Sequence, residues 1–184
     1  MPIFPFPLPR SMDSRNSQLF LRRLAAWFYR LPVLQRWWAA RFQAVRGKDI
    51  PWTPLASPLP QCRVALVTTG GVHLASDRPF DMSDPRGDPS YRVIPAASAP
   101  DVLTITHDYY DHRDADRDIN VVFPIGTLQG VLAEGRIGSV APRFYSLMGH
   151  IEGPHVRTLM RRTAPELASR LRADGADAVL LIPA

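Results

Sequence analysis

Four short runs of β-branched and aliphatic residues constrain the fold of this chain more than any other feature: Arg63–Thr68 (RVALVT), Val102–Thr106 (VLTIT), Ile137–Val140 (IGSV) and Ala178–Ile182 (AVLLI). Each is too short for a helix and nearly unbroken in apolar character, the pattern of strands covered on both faces. Between them the spacing turns helical. Leu128, Val131 and Leu132 make one apolar face, and Gly135 follows where a left-handed cap is wanted. Thr163, Pro165 and Glu166 read as a capping box with proline in the first turn, followed by Leu167 and Leu171 and then Gly175 as the stop. The alternation predicts an α/β fold: a mostly parallel sheet with helices on both faces.

The first 50 residues are of another kind. From Ser17 to Arg46 the apolar residues Leu21, Leu24, Phe28, Leu31, Leu34, Trp38 and Phe42 recur every three or four positions with arginines between them, which is amphipathic helix spacing. Pro32 is expected to divide it into two helices. Charge follows the same boundary: nine cations oppose Asp13 alone through residue 48, a net +8, and the remainder carries −3. The isoelectric point near 10.0 therefore reports the arm, and the mildly acidic body offers no basic surface for nucleic acid. The predicted organisation is a basic amphipathic helical arm over 1–50, a proline-rich linker over 51–60, and an α/β domain of Rossmann- or flavodoxin-like layers over 61–184. The arm is expected to pack on its own domain or a partner, with contact to an anionic membrane as the alternative.

Cys62 is the only cysteine, which excludes an intrachain disulfide and gives no sign of an oxidising compartment. No apolar run approaches the roughly 20 residues of a membrane span, and the opening MPIFPFPLPR lacks the form of a signal peptide. A cytoplasmic location is expected.

In sheets of this kind ligands bind beyond the carboxyl ends of the strands, and three loops lie there. Thr68-Thr69-Gly70-Gly71-Val72-His73 follows the first strand; its glycines allow close backbone approach, but it is neither a dinucleotide fingerprint nor a phosphate loop. The second loop, THDYYDHRDADRDIN from Thr106 to Asn120, gathers His107, His112 and five aspartates. These are metal-ligand types, yet the histidines are not at i, i+4 and the acidic run lacks the glycine and glutamate of a calcium loop. No metal is expected; Asx turns and salt bridges to Arg113 and Arg117 should hold this loop. The third loop, Ala141–Gly149 (APRFYSLMG), offers Arg143 to a substrate carboxylate or to one of the aspartates. Candidate pocket residues are His73, His107, Asp118, Asn120 and Arg143. No nucleophile with an adjacent base is present: Ser146 lacks the Gly-x-Ser-x-Gly frame, and Cys62 precedes the first strand. The residues alone describe a small-molecule pocket without a catalyst.

The strings RVALVTTGGVHLASDRPFD, YRVIP, DYYDHRDADRDINVVFPI, EGRIGSVAPRFYSLMG and RTAPELASRLRADGADAVLLIPA follow one another within Pro51–Ala184. In order and spacing this part of the chain resembles the selenoprotein B family of glycine, sarcosine, betaine and D-proline reductases, and within it the selenocysteine-bearing subunit acting on D-proline. The resemblance implies an oxidoreductase subunit for reductive C–N bond cleavage of a small amino acid. In class terms it acts on X–H and Y–H to form an X–Y bond, with a disulfide as acceptor in the reverse sense. A selenolate or thiolate would attack the carbon bearing the amine, a second sulfur would release the oxidised atom by exchange, and a pyruvoyl group on a partner subunit would activate the substrate. His73 and His107 would exchange protons with the leaving amine and Arg143 would hold a carboxylate. No cofactor is expected in this chain itself. In the family selenocysteine opens a loop directly after a strand resembling DAVLLIPA, so selenocysteine or cysteine is expected directly after Ala184, beyond an in-frame UGA read here as a stop. On that expectation the reductase-like domain is incomplete at its C-terminus and this chain alone is inactive. The alternative is a catalytically empty binding or scaffold module that recruits a partner subunit or a membrane surface.

Overall fold

The computed structural model describes residues 53–184. The expected helical arm over 1–50 and the first two residues of the expected linker lie outside the described residues. In chain order the elements are β1 (Arg63–Thr68), β2 (Val72–Leu74), β3 (Arg92–Pro95), β4 (Leu103–Ile105), α1 (Ile125–Ala133), β5 (Ser139–Val140), β6 (Arg143–Ser146), α2 (Pro154–Thr158), α3 (Ala164–Ala173) and β7 (Ala178–Ile182).

The sheet is organised around β1, whose run Val64–Thr68 is buried throughout. It is enclosed because both of its edges are paired. Along one edge β7 runs parallel to it, from Val64 opposite Ala178 to Thr68 opposite Ile182. Along the other, β5 pairs with Arg63 and Val64 and β6 pairs with Val67 and Thr68, both in parallel. β5 and β6 are one course of chain interrupted at Ala141-Pro142, where proline has no N–H to give a ladder. β3 lies antiparallel to β6, and β2 with β4 forms a separate antiparallel pair. Leu66, Ile94, Phe123, Phe144 and Tyr145 are wholly buried against this frame, each such burial stabilising by about 1.5–3 kcal/mol.

The fold is mixed α/β. Arg63–Thr68 and Ala178–Ile182 form strands as their composition predicts. The run Val102–Thr106 contracts to β4 and leaves the main sheet, because the Gly70-Gly71 turn leads directly into β2 and Thr106 N–H bonds to Gly71 O at 3.0 Å. The run Ile137–Val140 contracts to the two residues of β5. In the main sheet the three ladders of β1 are parallel and the β3–β6 ladder is antiparallel, while the β2–β4 pair apart from it is antiparallel. β7 also differs: Val179, Leu180 and Leu181 are 39%, 44% and 68% exposed, so among the described residues this apolar strand is uncovered on both faces.

Both helix stops form as expected. Gly135 has φ +67° and donates to Leu132 O, with Arg136 N–H reaching Val131 O; Gly175 has φ +71° and ends α3 with the same pair of bonds. The capping box at Thr163 does not form. Thr163 is itself helical, within an unbroken path from Pro154 to Ala173, and its hydroxyl donates to Pro89 O at 2.8 Å. Pro165 sits inside this path, where it would collide with the carbonyl four residues back. A π turn over Leu159–Thr163, with Ala164 N–H bonding Leu159 O, absorbs that conflict.

Candidate functional site

Because β1, β6 and β7 are parallel, their carboxyl ends emerge on the same side, and the chain that follows each is cross-linked there. Leu147 N–H bonds Thr68 O at 2.8 Å and Gly71 N–H bonds Leu147 O at 2.9 Å. Thr69 N–H bonds Ile182 O at 3.0 Å, and Ala184 N–H donates to Thr69 Oγ1 at 3.0 Å. Two glycines permit the approach. Gly71 has φ +68° and a side chain there would stand 2.7 Å from Thr106 O; at Gly149 it would stand 2.9 Å from Ala184 O. Segments after β1, β4, β6 and β7 therefore meet at one place.

His107 lies at the centre of this junction and is 3% exposed. Its Nε2 accepts the Gly149 N–H at 3.1 Å, and the Tyr109 N–H points at Nδ1 from 3.3 Å. A neutral imidazole accepts at one nitrogen only, so one of these bonds forms, and the imidazolium would lose both. Burial, reinforced by the neighbouring His150, holds the ring below the ordinary histidine pKa. Tyr110 packs edge-on against His107 with ring centres 4.8 Å apart and donates its hydroxyl to Gly70 O at 3.0 Å. Burial pushes this phenol up to about 12. Tyr109 stacks on His150 at 3.9 Å beside them. The junction thus offers a neutral, fixed imidazole and aromatic faces rather than a charged acid or base.

Of the five residues singled out in the sequence, His107 alone belongs to this junction. His73 is buried in β2 with both ring nitrogens engaged, Nδ1 with Leu74 O and Nε2 with Thr106 Oγ1, each at 2.8 Å. It fastens β2 to the end of β4. Asp118 is exposed and accepts both the backbone and side-chain N–H of Asn120, whose bonds hold its carboxyl below the usual range. Asn120 Oδ1 accepts from Gly126 N–H at 2.9 Å and Thr127 N–H at 3.3 Å, supplying the cap that Pro124 cannot give to α1. Arg143 opens β6 at the end remote from the junction and is bound to Asp174 through both Nε and Nη2. Asp174 is buried, accepts Tyr145 OH at 2.9 Å, and is held below the usual carboxylate range first by Arg143. The carboxylate that Arg143 was expected to hold for a substrate is thus one of the chain's own. Thr69, Tyr110 and Gly149, absent from the sequence candidates, join the junction instead.

The acidic loop is tied as expected: Arg113 to Asp111 at 2.8 and 2.5 Å, Arg117 to Asp114 at 3.2 Å, with His112 to Asp116 at 2.8 Å added. Among the described residues no group of three or more His, Cys, Asp or Glu could hold a metal ion. An open groove of about 640 Å³ lies elsewhere, between the loop Asp77–Val93 and His155. Its carboxylates Asp81, Asp84 and Asp88 are folded into local turns with Ser83, Arg86 and Ser90. Among the described residues no helix is long and apolar enough to cross a membrane.

The junction places strand ends, glycines and a buried imidazole together at one edge of a mixed α/β domain. Comparison with known proteins makes this specific. A family model described as glycine/sarcosine/betaine reductase selenoprotein B matches residues 38–184, and the chain belongs to that family. It is 38% identical over 130 residues to the D-proline reductase subunit gamma of Acetoanaerobium sticklandii, covering 71% of this chain and 52% of that protein. It is 28% identical over 145 residues to the glycine reductase complex component B subunit gamma of Carboxydothermus hydrogenoformans, covering 72% of this chain and 30% of that one. The chain therefore spans about half the length of the first relative and less of the second. No solved structure matches.

Proposed function

We propose that this chain supplies the substrate-side frame of a reductase in which a selenolate or thiolate cleaves the C–N bond of a small amino acid. In this reading the anionic selenium or sulfur attacks the carbon bearing the amine and the C–N bond breaks. The amine leaves with a proton. A neighbouring thiol then attacks the selenium or sulfur, the carbon takes a proton in place of the nitrogen, and a selenosulfide or disulfide remains for a dithiol to reduce. Activation of the amine falls to a pyruvoyl group on a partner subunit, and no residue described here is assigned to hold it.

The observation that supports this reading is the meeting of the segments after β1, β4, β6 and β7, where Ala184 N–H donates to Thr69 Oγ1 and Gly149 N–H to His107 Nε2. His107, neutral and anchored, would hold the segments after β4 and β6 in register around the substrate. The uncovered apolar residues of β7 suit burial against further protein of a complex, and both relatives are named as subunits. Dithiol-dependent reductive C–N cleavage of D-proline and glycine by the complex containing this chain tests the proposal: cleavage that is lost when this chain is left out is expected, and cleavage by the remaining subunits alone overturns it.

A further inference from the structure

All five histidines of the chain lie among the described residues, and their hydrogen bonds separate them. His73 is buried with both ring nitrogens engaged, and both nitrogens of buried His107 face backbone N–H groups. His112 is tied to Asp116 in the acidic loop, and His155 to Asp84 in the groove away from the junction. His150, which directly follows Gly149, differs from all four. Its Nε2 meets Pro85 O at 2.9 Å. A carbonyl only accepts, so Nε2 keeps its proton and the neutral ring carries its lone pair at Nδ1. Among the described residues no hydrogen-bond partner meets Nδ1.

The ring is also held on one face. It is half-buried and lies flat on Tyr109, with centres 3.9 Å apart and planes within 18°. The loop that carries Pro85 is itself fixed: Glu152 N–H bonds Arg86 O at 2.9 Å, and Gly87, at φ +84°, packs where any Cβ would strike His150 O. The bond to Pro85 O is the same in imidazole and imidazolium, so the ring can gain or lose a proton at Nδ1 without moving. The titratable and charged groups around it are Tyr109 and His107 from the segment after β4, Asp84 and Arg86 on either side of Pro85, and Glu152 in its own segment.

We propose that His150 is the proton donor to the nitrogen released in C–N cleavage, acting through Nδ1. This rests on the reading of the chain as the substrate-side frame of a reductase. As the selenolate or thiolate bonds to the carbon, the electron pair of the breaking C–N bond stays on nitrogen, which takes the proton from Nδ1 of the imidazolium. The neutral ring stays on Pro85 O and recovers a proton from solvent.

The test is steady-state C–N cleavage of D-proline and glycine, with a dithiol as reductant, by the complex containing this chain as wild type, His150→Gln, His150→Ala or His112→Gln. Glutamine can keep an N–H for Pro85 O and offers no group at Nδ1. The expected result is a kcat lowered roughly a hundredfold in His150→Gln at little change in KM. Added imidazole should restore part of the rate in His150→Ala, and His112→Gln should keep the wild-type rate. A kcat near the wild type in His150→Gln overturns the proposal, as does an equal loss in His112→Gln. If His150→Gln also lowers Tm, imidazole decides: recovery in His150→Ala upholds the role and no recovery overturns it. If the wild-type complex cleaves neither substrate, the functional reading falls first and the role of His150 with it, whereas cleavage that survives in His150→Gln removes His150 alone.

Discussion

The Gly149 N–H donates to His107 Nε2 at 3.1 Å, joining the segment after β6 to the segment after β4 through a buried ring. Replacing His107 by alanine should leave that N–H without a partner and open a cavity, destabilising the domain by about 1–3 kcal/mol. Urea denaturation at pH 7.5 measures it.

The same ring sets a pH dependence. Its folded pKa is lowered from 6.5, so between the two values the unfolded chain binds the proton and the folded chain does not. Stability is therefore fully present above the unfolded value and declines as pH falls through 6.5 toward the folded value. Denaturation midpoints between pH 5 and 8 should fall with pH in the wild type and fall less in His107→Gln. Equal slopes in the two proteins would contradict a neutral buried His107.

Arg143 and Asp174 form an ion pair whose carboxylate is buried and whose cation is partly exposed. Asp174→Ala removes partners from Arg143 and from Tyr145 OH together, and a fall in Tm of roughly 10 °C is expected. Arg143→Ala should also lower Tm while leaving KM for a carboxylate substrate unchanged in the assembled enzyme. A raised KM at unchanged Tm would return Arg143 to the pocket.

Glycine replacements separate the junction from the scaffold. In Gly149→Ala the new methyl would meet the Ala184 carbonyl at 2.9 Å, and in Gly71→Ala it would meet the Thr106 carbonyl at 2.7 Å with φ at +68°. Each should cost about 1–3 kcal/mol. Gly130→Ala, in α1 with nothing within 4 Å, should instead stabilise by up to about 1 kcal/mol. Thermal denaturation of the three variants reads the contrast.

Ser146 Oγ is buried without a hydrogen-bond partner among the described residues, while its register neighbour Thr68 has two. Ser146→Ala should be neutral or slightly stabilising, and Thr68→Val destabilising by about 1–3 kcal/mol. Comparable losses in both variants would mean that the Ser146 hydroxyl has a partner.

The parts of the fold legible in the sequence are those where one physical signal dominates. β1 and β7 follow from unbroken β-branched runs, and the ends of α1 and α3 from glycines that reach positive φ. β4 misleads because an apolar run does not say which neighbour it will pair with, and the Gly70-Gly71 turn brings β2 to it first. The capping box at Thr163 misleads because a π turn lets the helix continue through Pro165. In the site, convergence of the loops after successive strands is legible, but the partner of each polar side chain is not. Arg143 finds Asp174 across the fold, and Asn120 finds the start of α1 six residues on, where Pro124 offers no cap of its own. Thr69 carried no chemical signature of its own; its position one residue past β1 was the only available sign.

The most direct test of the strand-end junction as the substrate-side frame is the rate of dithiol-dependent C–N cleavage by the reductase complex containing this chain, wild type against Gly149→Ala, measured well below the Tm of both. The rate should fall in Gly149→Ala, whose methyl would crowd Ala184 O and Thr69 Oγ1. An unchanged rate would contradict the proposal.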